Sequence, residues 1–290
     1  MKLLFSFALF LLAGSTLYAQ STPDTDLLSA LGNDPQKPRV VTATFKATRL
    51  VTGHSVENLG AGVLDFRIAH RFNAFKNGFD DFFGLDGATT KIQFDYGITN
   101  RIMIGVGRSP LNKEWEGFTK IKLLPQLESG MPVTVSYMGA VGVQSKNGYS
   151  FNQNLAYTNQ LLIARKFNER FSLQIRPTFA HYNLVNETAD PNNIFALGAG
   201  GRIKLTRRTS LNVEWYPVIG DRLAGTTNAI AIGVDVETGS HVFQMHFTNS
   251  AGLTERSLIG QTTGRVEKGD IRFGFNISRV FTVVKPKGVE

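Results

Sequence analysis

The stretch Ile271-Arg272-Phe273-Gly274-Phe275-Asn276-Ile277-Ser278-Arg279-Val280-Phe281 decides the fold. Ile271, Phe273, Phe275 and Ile277 alternate with Arg272, Gly274, Asn276 and Ser278. Period two is the signature of a strand, whose successive side chains point to opposite faces. One face is apolar, the other is polar or tiny, and aromatic Phe281 stands at the edge.

Working outward, the opposite end of the chain explains why such a strand is useful. Met1-Lys2 is a short positive start, Leu3–Leu12 an apolar run, and Leu17-Tyr18-Ala19 offers a cleavage site before Gln20. Residues 1–19 read as a signal peptide. The run is shorter than the ~20 residues a spanning helix needs. No later stretch holds 18 consecutive apolar residues. Strands that alternate behind an export signal predict a barrel with lipid outside and water inside. A mean hydropathy of −0.08 fits, because lipid-facing and lumen-facing residues average out along each strand. So do 29 Gly and 22 Phe against 2 Trp. The competing fold is a soluble β-sandwich.

The chain has no cysteine, which excludes disulfides, thiolate metal sites and a lipoprotein anchor. The net charge of +8 comes from Lys and Arg scattered along the chain, without a basic run. Nucleic acid is therefore not the expected partner. The expected partners are outer-membrane lipids, a small polar or anionic solute, and a periplasmic or outer-membrane protein.

Residues 20–38 carry Pro23, Pro35 and Pro38 and read as a flexible periplasmic lead-in. Thirteen strand-like segments follow within 39–281, with a tail at 282–290. Short connections (97–100, 166–170, 206–210, 238–240) alternate with longer ones near 109–117, 144–154, 183–193, 217–228 and 249–270. That alternation belongs to outer-membrane barrels, which have short periplasmic turns and long outside loops. The fold class is an all-β, antiparallel up-and-down transmembrane barrel. Single-chain bacterial barrels use even strand numbers, so twelve strands are expected, with fourteen the other open count. Counting back from the terminal strand makes Val63–Phe72 strand one of twelve and leaves Val40–Thr48 over. That segment is either a strand, a piece outside the ladder, or a piece inside the lumen. At 72–83, Phe72, Phe75, Phe79, Phe82 and Phe83 recur at helical spacing. A short amphipathic helix is expected there, at the membrane interface or folded over the lumen.

Motifs for chemistry are few. His54, His70, His181, His241 and His246 have no zinc-motif spacing, and no HExxH or GxSxG is present. Gly198-Ala199-Gly200-Gly201 and Gly105-Val106-Gly107-Arg108 match no phosphate-loop pattern and read as strand glycines. The chain reads as no enzyme, with no cofactor and no metal. By alternation the inward set includes Lys46, Asp65, Arg67, Arg71, Lys91, Asp95, Arg176, Glu214, Asp235, His246 and Arg272. Charges of both signs in a lumen must pair or be hydrated. They form either an ion-paired network bracing the barrel or a constriction that selects small solutes, and the two coexist readily.

Several motifs together carry a resemblance. Thr48-Arg49-Leu50, Gly53-His54-Ser55-Val56-Glu57, Phe66-Arg67-Ile68-Ala69-His70-Arg71-Phe72 and Phe83-Gly84-Leu85-Asp86-Gly87-Ala88 are among them. So are Tyr96-Gly97-Ile98-Thr99, Gly107-Arg108-Ser109, Leu162-Ile163-Ala164-Arg165-Lys166-Phe167, Arg176-Pro177-Thr178 and Gly200-Gly201-Arg202-Ile203-Lys204-Leu205. The chain resembles a family of bacterial outer-membrane β-barrels of unknown function, over about 40 to 280. The resemblance implies an outer-membrane location in a Gram-negative bacterium and no activity or ligand. Arg49, His54, Glu57, Arg71, Asp86 and Arg108 are costly on a lipid face, at ~2–4 kcal/mol for a mid-depth Arg or Lys. They are expected in turns, loops or lumen, with the 49–57 segment clustering with Arg71 or Arg108. Three functions stay open: a small channel for polar or anionic solutes, a non-conducting structural or docking barrel, and, last, a barrel enzyme.

Overall fold

The computed structural model describes residues 38–285 except 146 and 147. The expected signal peptide, most of the lead-in and the last residues of the tail lie outside them. The strands are β1 (Val63–Ala74), β2 (Ala88–Gly97), β3 (Ile102–Ser109), β4 (Glu114–Leu124), β5 (Thr134–Gln144), β6 (Leu155–Lys166) and β7 (Phe171–Tyr182). They continue as β8 (Asn193–Lys204), β9 (Thr209–Tyr216), the two-residue β10 (Val218–Ile219), β11 (Ala229–Thr238), β12 (His241–Thr248) and β13 (Arg272–Thr282).

All neighbours pair antiparallel, and β13 returns to β1 from Val63↔Thr282 to Ala74↔Arg272. Twelve strands thus close a barrel, and β10 is a short extra rung on β8. Closure removes the open edges that a sheet cannot carry in lipid. The main strands run 8 to 12 residues, near the ~9–11 a tilted membrane strand needs. Outward positions are apolar and exposed, as at Phe94, Val106, Trp115, Phe195, Trp215 and Ile232. Inward positions are polar and buried, as at Gln93, Asp95, Lys120, Gln174, Glu214 and Gln244. This inverts a water-soluble sandwich, which would bury the first set.

The terminal stretch supplies the closing strand, and Val63–Phe72 falls in β1. The connections depart from strict alternation twice. The turn at 110–113 is short on the long-loop end, and 125–133 is longer on the short-turn end. The latter is occupied: Val41 N–H donates to the Gln126 carbonyl and Glu128 N–H to the Arg39 carbonyl, both at 2.9 Å. There the segment 38–42 enters, and Val40–Thr48 is not a strand. Its single bridge is Val40↔Leu127. Ala43 turns at φ 55°, and both Thr44 and Phe45 are buried. The period-two pattern has no ladder to serve, because Val40–Ala43 runs largely exposed at the barrel end and only from Thr44 on does the segment enter the lumen. The expected helix at 72–83 is a run of 3-10 turns over Phe75–Gly84, broken at Gly78 (φ 67°), Phe82 (φ 41°) and Phe83 (φ 56°). Phe79, Phe82 and Phe83 stay exposed at the rim and do not pack over the lumen.

Candidate functional site: the filled lumen

A small eight-stranded barrel fills with its own wall side chains, and larger ones leave space. Here the space is taken by two other pieces of the chain. From the short-turn end, residues 45–57 rise as a hairpin. Leu50 N–H donates to the Gly53 carbonyl at 2.9 Å, and Ser55 N–H to the Thr48 carbonyl at 3.0 Å. Val51 and Thr52 form the tip.

Two backbone bonds leave most of the hairpin's polar groups unpaired, and buried amides and carbonyls demand partners. The barrel wall supplies them from side chains. Glu214 on β9 accepts the amides of Thr52 (2.7 Å) and Gly53 (3.3 Å). Gln174 on β7 accepts from Val56 N–H at 2.9 Å and donates to the His54 carbonyl at 2.8 Å. Gln244 on β12 donates to the Leu50 carbonyl at 3.0 Å, and Asn276 on β13 to the Val51 carbonyl at 2.9 Å. Lys120 on β4 donates to the carbonyls of Ser55 and Glu57. The opposite flank of the hairpin is apolar. Phe45, Leu50 and Val56 join Met103, Phe118, Met138 and Leu162 from β3 to β6 in one cluster.

From the long-loop end, residues 249–262 fold inward. Thr254 caps the helical turn Glu255–Gly260 in a reciprocal box with Ser257. Glu255 N–H donates to Glu116 at 2.6 Å, and Gln160 donates to the Glu255 carboxylate at 2.9 Å. Leu258 and Ile259 pack with Tyr216, Ala196 and Ala229. The two inserts meet where His54 Nε2 lies 3.9 Å from Glu255 Oε1.

The charges pair across the lumen. Arg176 meets Glu214 at 3.3 Å and stacks over the Tyr216 ring at 4.2 Å. Lys91 meets Glu116 at 2.6 Å, Arg67 meets Asp65 at 3.1 Å, and Arg49 meets Asp95 at 3.5 Å. Taking these ions from water costs several kcal/mol each unless geometry repays it, so the network is tied to a filled lumen.

The structure brings Arg49, His54, Asp65, Arg67, Arg71, Lys91, Asp95, Arg176, Glu214 and His246 into this buried interior. Arg71 reaches the hairpin, donating to Thr52 Oγ1 at 3.3 Å. Glu57 lies lower, accepting from Phe45 N–H at 3.1 Å. Arg272 sits at the long-loop rim, donating to the Phe72 carbonyl at 3.3 Å. Arg108 does not join the cluster. It shares parity with the outward Ile104 and Val106, and its guanidinium lies 5.5 Å over the Trp115 ring.

Sequence reasoning missed Glu114 and Glu116 because the stretch near 109–117 reads as a connection, and left out Lys120 just beyond it. β4 begins at Glu114, and its inner face runs Glu114, Glu116, Phe118, Lys120. Outward Trp115 beside two period-two acids was the available signal. Glu255 and Arg256 carried none, since a loop that folds inward has no periodic pattern.

A family model described as Membrane bound beta barrel domain (DUF5777) matches residues 45–281. Among solved structures the chain is similar to the NanC porin, with TM-score 0.49, 10% identity, 75% of this chain and 98% of that chain covered. It is also similar to the KdgM porin, with TM-score 0.47, 9% identity and 76% and 99% covered. A third is an outer membrane channel from Pseudomonas putida F1, with TM-score 0.43, 12% identity and 78% and 98% covered. No functionally curated protein matches the chain.

Proposed function

The chain belongs to the Membrane bound beta barrel domain (DUF5777) family, and from that premise we propose a gated barrel of the Gram-negative outer membrane. Residues 1–19 serve as a cleaved export signal, and the short-turn end faces the periplasm. The barrel passes small polar or anionic solutes only when the 45–57 hairpin leaves the lumen.

The observation that carries this reading is the way the hairpin is held. Its backbone is bonded by wall side chains, Glu214, Gln174, Gln244 and Asn276, and not by wall strands. Chain enters and leaves the hairpin at one end, since Val41 bonds Gln126 and Gly60 packs against Gly97. Withdrawal therefore needs no threading. The wall it uncovers carries hydratable charges of both signs, which suits polar solutes. Withdrawal also exposes Phe45, Leu50 and Val56 at ~1.5–3 kcal/mol each. The closed state is thus favoured, and opening needs a ligand or partner that binds the open state better.

A permanently closed structural or docking barrel is the second reading, supported by the ion pairs that bridge hairpin and wall, such as Arg49 to Asp95. Planar-bilayer conductance separates them. The refolded full barrel is expected to be nearly silent, and a variant lacking 44–56 to conduct. A deletion variant that keeps its heat-modifiable barrel yet stays silent overturns the gated reading in favour of the second.

A further inference from the structure

Between the hairpin and the wall of β1, β2 and β13 lies a cavity of about 20 Å³. Arg49, Arg67, Arg71, Lys91 and Thr52 line it, and Leu253 of the other insert caps it. A polar cavity of this size accepts a single small particle.

Four cationic side chains face one another here, and three have carboxylates. Arg49 has Asp95, Arg67 has Asp65, and Lys91 has Glu116. Arg71 has none within ion-pair distance among the described residues, and its main electrostatic partner, Glu214, is held by Arg176. Arg71 is buried at 1% exposure, and its two terminal nitrogens donate to the Ser250 carbonyl (2.8 Å) and to Thr52 Oγ1 (3.3 Å). Both partners are neutral. Arg71 Nε, Arg67 Nε and Arg67 Nη1 are buried without hydrogen-bond partners. Beside Arg71, His246 is buried and supplies no counter-charge. By ion pairs alone Arg71 is the cation left over, with Glu214 and Glu255 acting on the cluster only from further off, and unused N–H donors border a space sized for one particle. A buried ion without a counter-charge is the costliest arrangement a protein interior offers.

We propose that this cavity is a binding site for a small monovalent anion of the halide class, which neutralises Arg71 and locks the hairpin to the wall. The unpartnered donors at the cavity are N–H groups of Arg67 and Arg71, which suit a spherical anion without requiring oxygen geometry. A larger oxyanion such as sulfate exceeds the space. The anion touches the wall through Arg67 and Arg71 and the hairpin through Arg49, so it bonds only the closed lumen. Linkage then makes halide a stabiliser of the closed state. The inference rests on the closed lumen and is indifferent to whether the barrel ever conducts.

The test uses the full refolded barrel with bromide as probe. Crystals grown in sodium bromide should show an anomalous peak in this cavity. The unfolding midpoint should rise with bromide concentration at constant ionic strength, with gluconate as the balancing anion. Arg71→Gln should weaken that bromide dependence by on the order of tenfold or more. Because Arg71→Gln is open to misfolding, Thr52→Asp is the second variant. It supplies the missing carboxylate beside Arg71, so it should fold, lose the bromide peak and lose the bromide dependence. A wild-type barrel with no peak and equal midpoints in bromide and gluconate overturns the proposal and leaves water in the cavity. A bromide response that survives in Thr52→Asp overturns it too, since the ion then acts elsewhere.

Discussion

The hairpin at 45–57 has almost no backbone pairing of its own, whereas the insert at 249–262 closes its own helical turn before it meets the wall. The first borrows its partners from Glu214, Gln174, Gln244, Asn276 and Lys120. The second carries a capping box and two apolar anchors, Leu258 and Ile259. The difference teaches where each is vulnerable. A wall substitution beneath the hairpin orphans buried backbone groups, which cost their full desolvation. A substitution within the second insert removes a local contact and leaves its other anchors in place.

The largest effect should come from Glu214→Leu. This change strips the Thr52 and Gly53 amides of their acceptor and leaves Arg176 buried without its carboxylate. Breaking a buried pair from one side costs about 3–5 kcal/mol. Denaturant unfolding should show that loss, and limited proteolysis should cut near Thr52. If Glu214→Leu is no worse than a cap deletion in the second insert, the contrast between borrowed and self-supplied bonding is broken.

Next comes Gly53→Ala. A Cβ there would overlap the Tyr216 hydroxyl and crowd Arg176 Nη1 at 2.5 Å. Overpacking of this kind costs about 1–3 kcal/mol. The expected result is a barrel with wild-type heat-modifiability and a hairpin more open to protease. Tyr216→Phe should restore part of the loss in the double variant, because it removes the clashing oxygen. Failure of that rescue would place the defect elsewhere in the turn.

Thr254→Ala tests the other side of the comparison. It removes the side chain that accepts from Ser257 N–H at 3.3 Å. Loss of an N-cap costs about 1 kcal/mol. The stability change should be near that value, and the hairpin's protease protection should not move.

These two inserts also mark the limit of what could be read in advance. The strands were legible because a lipid-facing wall forces strict alternation, and β13 shows it in Phe273, Phe275 and Ile277. Twelve strands followed from direction and parity, since short turns must share an end. The inward charges of β1, β2, β7 and β9 were legible for the same reason. Which of them meet was not, because hydrogen bonds such as Gln174 to His54 join residues 120 apart through a segment without period. Val40–Thr48 was legible only as a misfit to the strand count. Arg108 departs from the expected lumen set because its parity with Val106 puts it on the outer face. At the strand end its guanidinium lies on Trp115 instead.

The smallest effect concerns the outer tether of the second insert. Lys76 in the rim turns pairs with Asp270, just before β13. The Lys76 ammonium, aided by the Arg265 N–H that donates at 3.0 Å, holds the Asp270 carboxyl below its ordinary range. A carboxylate whose folded value is depressed stabilises the fold above its unfolded value, near ~3.9. That contribution drains as pH falls through the lower folded value. Acidification below about pH 4 should therefore loosen the loop around 263–270, read as faster cleavage after Arg265 or Lys268 by an acid-tolerant protease. Asp270→Asn should give the same loosening at neutral pH and make it pH-independent. The hairpin should stay protected in Asp270→Asn at neutral pH, because its bonds to Glu214, Gln174, Gln244 and Asn276 do not involve Asp270. If the hairpin loosens in step with the loop, the two inserts form one cooperative plug, and their separate modes of support cease to matter for opening.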